Sequence, residues 1–185
     1  MTIRPYRPGD KEAARRACLH AKPGEAVELD PARAASLATF CDYYLECEPQ
    51  NCFVAAGDDG EAVGCIWCAE DWRRYYRRFA REYLPGMPPD KRRKYRGAAW
   101  MPLFFAKKYP AHLHIDILEA YQRQGLGHRL MDALTDHLRA KGVPGVMLVV
   151  SARNEKGMRF YRKYGFRQVL RLPGSVVMGL RLPLP

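Results

Sequence analysis

Along this chain the apolar positions change their period several times, and each change marks an element. Ile3 to Tyr6 reads as a short first strand, stopped by Pro8-Gly9-Asp10, where Asp10 can cap a helix running to about His20. Asp30-Pro31 joins a capping side chain to a proline at the first helical position. Leu37, Phe40, Cys41, Tyr44 and Leu45 stripe the helix that follows, and Pro49 closes it. Cys52 to Ala56 and Ala62 to Ala69 flank Gly57-Asp58-Asp59-Gly60, the signal of a hairpin. The run from His112 to Leu118 alternates and predicts another strand. Leu126, Leu130, Leu134 and Leu138 then recur every four residues, widened by Met131 and Ala133, in a helix that ends near Gly142 with Arg139 and Lys141 in its last turn. Val146 to Val150 is continuously apolar, as a buried strand is. Asn154 can cap a short helix that carries Met158, Phe160, Tyr161 and Tyr164 and stops at Gly165; Ser175 to Leu182 reads as a last strand.

Between the third and fourth strands, residues 70–110 form a long insertion with its own pattern. Trp72, Tyr75, Tyr76, Phe79 and Tyr83 fall at helical spacing with arginines on the complementary face. Pro85, Pro88 and Pro89 end that helix and Lys91 to Arg96 begins another, while Pro102 and Pro110 bracket Leu103-Phe104-Phe105. Of the net charge of +11, residues 73–96 supply +8, with ten basic and two acidic side chains. Three readings fit this segment: a solvated arginine face over an aromatic contact, recruitment of an acidic substrate or partner, and nucleic-acid binding. No nucleic-acid module is visible, which makes the last the weakest.

A chain of 185 residues suits a single domain, 1–185, that needs neither disulfide nor metal. The start, Met1-Thr2-Ile3-Arg4-Pro5-Tyr6, lacks a signal pattern, and no run approaches the apolar length of a membrane span. A cytoplasmic protein with six reduced cysteines is expected. Cys65-Ile66-Trp67-Cys68 has a metal-like spacing, but it lies in an apolar run without a second such pair, so core packing is expected there.

The densest chemistry lies in Gln122-Arg123-Gln124-Gly125-Leu126-Gly127-His128-Arg129, between a strand and a helix. Glycines let a turn point its N–H groups inward, and a helix N-terminus adds partial positive charge, so this is a place to hold phosphate. A P-loop would need Lys-Ser or Lys-Thr after the last glycine, where His128 and Arg129 stand. A dinucleotide fingerprint would need a small residue at Leu130. Gln-x-x-Gly-x-Gly after a strand resembles the pyrophosphate loop of the GNAT superfamily of N-acetyltransferases. Asn154 to Phe166, an Asn-led helix ending in Phe-Tyr-x-x-x-Gly-Phe, resembles that superfamily's second signature, at the right separation. The resemblance is strong over about residues 112–167. The insertion and the run Tyr109 to Leu118 are similar to the acetyltransferase-like C-terminal domain of O-GlcNAcases and its free-standing bacterial relatives.

The resemblance implies an α/β (α+β) GNAT fold, a mixed twisted sheet of about six to seven strands flanked by helices. It implies acetyl-CoA as co-substrate and no metal. Backbone N–H groups from Arg123 to Arg129 would cradle the diphosphate, with Gln122 opening the loop. Ile115 and Ile117 match the strand positions that pair with the pantetheine arm, and one of their N–H groups would polarise the thioester carbonyl. Asn154 matches an asparagine that faces the co-substrate, although capping its own helix explains it equally well. Tyr161 stands where the family places its general acid, and a phenol suits a departing thiolate.

For the base, alternation puts His112, His114 and Asp116 on one strand face, with Leu113, Ile115 and Ile117 on the other. Two imidazoles and a carboxylate in a row can relay a proton, and the His-Leu-His run is similar to that of arylalkylamine N-acetyltransferases. Asp116 or His114 is the expected base or relay, then His112. No cysteine stands out as an acyl nucleophile, which favours direct attack by a primary amine in a ternary complex. The alternative is a non-catalytic acyl-CoA-binding interaction domain. The acceptor is a small amine or a protein or peptide lysine, and the insertion bordering its site suggests acidic or aromatic groups on it. Neither nucleic acid nor membrane is an expected partner, and a homodimer is left open.

Overall fold

The computed structural model describes residues 1–20, 30–98 and 104–183. Seven strands form one mixed sheet, β1 (Thr2–Pro5), β2 (Cys52–Ala56), β3 (Ala62–Ala69), β4 (Ala111–Ile117), β5 (Gly145–Ser151), β6 (Arg167–Leu172) and β7 (Ser175–Arg181), in the order β1-β2-β3-β4-β5-β7-β6. All neighbours are antiparallel except β4 and β5. The helices are α1 (Lys11–Cys18), α2 (Pro31–Leu37), α3 (Tyr43–Cys47), α4 (Trp72–Glu82), α5 (Pro89–Ala98), α6 (Leu126–Ala140) and α7 (Glu155–Tyr164).

Local chemistry fixes most boundaries. Asp30 accepts from the N–H groups of Ala32 and Arg33, as its place before Pro31 predicts. The Gly57–Gly60 turn joins β2 to β3. The single helix expected between Pro31 and Pro49 is interrupted: Ala38–Asp42 is a π turn, and α3 resumes after it. That wider turn lets Phe40 and Cys41 face different surroundings, the first exposed and the second buried. The seventh strand is β6, which charged residues at Arg167 and Arg171 hide from a hydrophobic pattern; β7 pairs it along its length. The Leu103-Phe104-Phe105 stretch falls partly outside the described residues.

Two layers of helix cover the sheet. Leu130, Leu134 and Leu138 of α6 are fully buried, and each contributes roughly 1.5–3 kcal/mol through the apolar surface it removes from water. Ile117 lies on this side, because a Cβ placed on Gly127 of α6 would come within 3.7 Å of its Cδ1. The other side carries α1 to α4. There Trp72, Tyr75 and Phe79 of α4 are buried, with Tyr43 centred 4.5 Å from Tyr75 and the rings of Tyr75 and Phe79 stacked. The arginine-rich face of α4 points outward, with Arg78 and Arg81 ion-paired to Glu82 and Arg74 reaching the buried Glu48. The solvated-face reading describes this helix. Cys65 and Cys68 are fully buried within β3.

One break in the sheet matters more than the rest. β4 and β5 pair just at Ala111↔Val146 and His112↔Met147 among the described residues, whereas β5 pairs with β7 from Gly145 to Ser151. Beyond His112, β4 and β5 therefore diverge, and the sheet opens along the β4 edge.

Candidate active site

Backbone geometry decides what that edge presents. The Leu118 N–H donates to the Val63 carbonyl at 3.0 Å, and the register Gly64↔Ile117 continues from it. Even-numbered residues of β4 thus spend their backbone groups on β3, and Ile115 and Ile117 turn theirs toward the opening. The Gln122 side chain uses one of them, donating from Nε2 to the Ile117 carbonyl at 3.0 Å.

The loop after β4 closes one end of the opening. Arg123 and Gly125 both have positive φ, 63° and 79°, and this double reversal carries the chain into α6. The first turn of α6 closes on the Gly125 carbonyl, which accepts from His128 and Arg129. The N–H groups from Arg123 to Gly127 have no backbone acceptor among the described residues, as expected of a helix start. Gly127 lies against α7, where a Cβ would stand 3.1 Å from the Phe160 ring.

Strand edge, loop and α7 together line a cavity of about 620 Å³. Ten of the residues singled out in the sequence border it: Ile115, Asp116 and Ile117 from β4; Gln122, Arg123 and Gly125 from the loop; Gly127 and His128 from the first turn of α6; and Asn154 and Tyr161 from α7 and its cap. Asn154 caps α7, its Oδ1 accepting from the Gly157 N–H at 2.8 Å, while also facing the cavity. Both explanations of that residue therefore hold in the geometry.

Other expected residues lie elsewhere. Arg129 turns away, both terminal nitrogens donating to the Met1 carbonyl at 3.3 Å. Gln124 donates to the Ala120 carbonyl, and Leu126 is buried in the core, so these two contribute backbone alone. His112 is buried among aromatic rings, 4.4 Å from Trp72, with Nδ1 3.0 Å from the Tyr44 hydroxyl. His114 packs edge-on to Phe40 and Tyr44. Burial, with the neighbouring His114, holds the His112 imidazole well below the usual range, and burial brings His114 down to about 4. Near neutral pH both rings are uncharged, and neither borders the cavity.

Asp116 does. Its side chain is 20 % exposed, and burial pushes its carboxyl up to about 6, against a lowering by His20. Burial and the Asp116 charge raise the Tyr161 phenol above its ordinary value, which keeps its proton on. The two groups are thus poised oppositely, a carboxylate able to take a proton near neutrality and a phenol that holds one.

Sequence reasoning missed Lys156, Phe160 and Lys163, which line the cavity from one face of α7. Their spacing of four and three residues was a usable signal. Lys156 also donates to Gln122 Oε1 at 2.9 Å, tying α7 to the loop. His20, missed like Gly157, follows α1 and has its Nε2 3.9 Å from Asp116 Oδ1. No local pattern announces so distant a contact.

The family model for the acetyltransferase (GNAT) family matches residues 18–166, more than half of the chain. The chain belongs to this family. Among solved structures, SsHAT is 26% identical, with a TM-score of 0.81 over 98% of each chain. The ribosomal-protein-S18-alanine N-acetyltransferase from Escherichia coli superposes with a TM-score of 0.58 at 19% identity, over all of this chain and 95% of the other. A stretch of 48 residues, 26% of this chain, is 42% identical to the [Ribosomal protein bS18]-alanine N-acetyltransferase of Escherichia coli K12 and spans about a third, 32%, of that relative. The seven-stranded mixed sheet flanked by helices is the GNAT fold. Among the described residues no helix is long and apolar enough to cross a membrane.

Proposed function

We propose that this GNAT chain transfers an acetyl group from acetyl-CoA to a primary amine by direct attack in a ternary complex. The observation that carries the reading is the run of amides from Arg123 to Gly127 without backbone acceptors, opening on the same cavity as the free β4 edge. A diphosphate fits such a run, and Arg123, Lys156 and Lys163 supply full charge beside it. An extended arm fits the edge of Ile115 and Ile117 as an added strand would.

Bound there, the co-substrate supplies a thioester whose C–S bond breaks as the C–N bond forms. The N–H of Ile117 or Ile115 stabilises the developing oxyanion. Asp116 accepts the proton that an ammonium group must lose before it attacks. Tyr161 donates its proton to the departing sulfur and recovers one from the attacking nitrogen, so that amine and thioester become amide and free thiol. His114 and His112 take no part in this scheme; they hold the β4 face against the aromatic layer.

The acceptor mouth lies on the side of α1 to α4, where Phe40 is 37 % exposed beside His114 and Tyr95. An amine with an aromatic or apolar substituent suits that wall. The branch resemblance to O-GlcNAcase C-terminal domains rests on the insertion and the Tyr109 to Leu118 run. Six free thiols suit a reducing, cytoplasmic setting.

Purified protein is incubated with acetyl-CoA and a panel of 2-phenylethylamine, a lysine ε-amine and a peptide with N-terminal alanine, and free thiol is followed. Amine-dependent thiol release is expected with at least one member. Calorimetric binding of acetyl-CoA without release would leave an acyl-CoA-binding domain, and no binding would remove the site itself.

A further inference from the structure

α1 ends in a way its sequence does not favour. Leu19 caps it, and His20 follows with φ of 53°, in the left-handed region, its N–H donating to the Ala17 carbonyl at 3.1 Å. Glycine is the usual residue at this position, because a side chain there crowds the backbone. Such an outlier asks what the side chain does. His20 projects over the cavity, its imidazole 72 % exposed and its Nε2 3.9 Å from Asp116 Oδ1.

Arg15 and Arg16 of α1, which packs on β3 and β4, pair with Asp42, Glu12 and Glu61; among the described residues, His20 alone forms an ion pair with Asp116. From β3 it is paired across with Cys65, a buried thiol held neutral; from α7 it meets Tyr161, a neutral phenol; along β4 stands His114, neutral through burial. The cationic groups of the cavity, Arg123, Lys156 and Lys163, come from the loop and α7, and none forms an ion pair with Asp116. A half-buried carboxylate is costly unless a positive charge faces it. His20 is the residue so placed.

We infer that His20 is a positioning residue for Asp116, a strained helix end that sets an imidazole beside the cavity to hold the carboxylate in its ionised, proton-accepting form. The inference rests on the acetyl-transfer reading for its consequence in turnover, but the contact between the two side chains can be judged without it.

The substitution His20→Gly tests this, because glycine relieves the left-handed strain while removing the ring. The Asp116 carboxyl is titrated by carbon NMR in the full-length protein, with D116N to assign its signal, and H20N serves as a second variant that also tolerates positive φ. His20→Gly should leave the melting temperature and the calorimetric heat of acetyl-CoA binding unchanged or better. It should raise the Asp116 midpoint by about half a pH unit or more, since removing an imidazole that is positive when protonated favours the neutral acid. With 2-phenylethylamine as acceptor, kcat/KM should fall roughly two- to fivefold at pH 6 and little at pH 8.5, where the carboxylate is ionised in either protein. An unchanged midpoint in both variants would overturn the inference, and a lowered melting temperature with that unchanged midpoint would show a helix end and nothing more. If the wild type acetylates no amine, the proposed function falls while the midpoint still decides the role of His20.

Discussion

Asp116 carries the sharpest conflict between stability and chemistry. Its folded midpoint of about 6 lies above the ordinary carboxylate value of 3.8, so the folded chain binds this proton more tightly than the unfolded one. The stability it lends is present below about pH 4 and lost as pH rises through about 6, which leaves a penalty of roughly 2–3 kcal/mol near pH 7. Asp116→Asn should therefore unfold at higher urea than wild type at pH 7.5 by up to that amount, with the gain vanishing toward pH 4, while acetylation is lost. A variant equally stable at both pH values would mean that the carboxylate is not desolvated as described. Tyr161→Phe separates chemistry from binding in another way. The phenol retains its proton because burial and the Asp116 charge disfavour the phenolate. Removing it should lower kcat by about a hundredfold and leave acetyl-CoA affinity, measured by calorimetry, unchanged.

Two elements, the loop from Gln122 and helix α7, build the co-substrate side of the site, and their glycines do different work. Gly125 adopts φ of 79° at the start of α6, so Gly125→Ala should cost about 1 kcal/mol in unfolding. Gly127 is ordinary helix, where alanine is favoured, but its new Cβ would press on Phe160 at 3.1 Å. Gly127→Ala should unfold like wild type yet bind acetyl-CoA about tenfold more weakly, since the displaced ring enters the cavity; tenfold is about 1.4 kcal/mol. Local patterns exposed much of this architecture. The hairpin bounds, the Asp30 cap, the α6 stripe and the glycine loop all stand where period and capping residues put them, because each depends on neighbours in sequence. The π turn at Ala38–Asp42 and the strand β6 escaped, since packing against distant partners sets them. The site was legible as a set of residue types and illegible as directions. Alternation grouped His112, His114 and Asp116 on one face, but it could not say that Trp72 and Phe40 would cover the first two and leave the third beside a cavity.

At the scale of the molecule the sheet is two halves held by little. β1 to β4 form one antiparallel unit and β5 to β7 another, and between them run just the pairs Ala111↔Val146 and His112↔Met147 among the described residues. Helices bridge the gap from above, with α6 seated on β1 to β4 and Lys156 of α7 bonded to Gln122 in the loop that precedes α6. A seam of this kind saves no stability for the free protein, because backbone groups on the β4 edge meet water instead of a strand. Its value appears when an extended ligand arm takes the place of the missing pairs, using N–H and C=O groups of Ile115 and Ile117. Binding should then join the halves and raise the unfolding free energy by about 2.7 kcal/mol at a hundredfold excess over Kd. Hydrogen exchange locates that gain. With acetyl-CoA present, the amides of Ile115 and Ile117 and those from Arg123 to Gly127 should slow together, whereas those of His114 and Asp116, already bonded to β3, should change only through the global rise. CoA stripped of its diphosphate should protect the strand amides and spare the loop. Slowing confined to the loop with intact acetyl-CoA would mean that the diphosphate is held but the arm does not run along β4, and the placement of the acyl group beside Asp116 and Tyr161 would then be wrong.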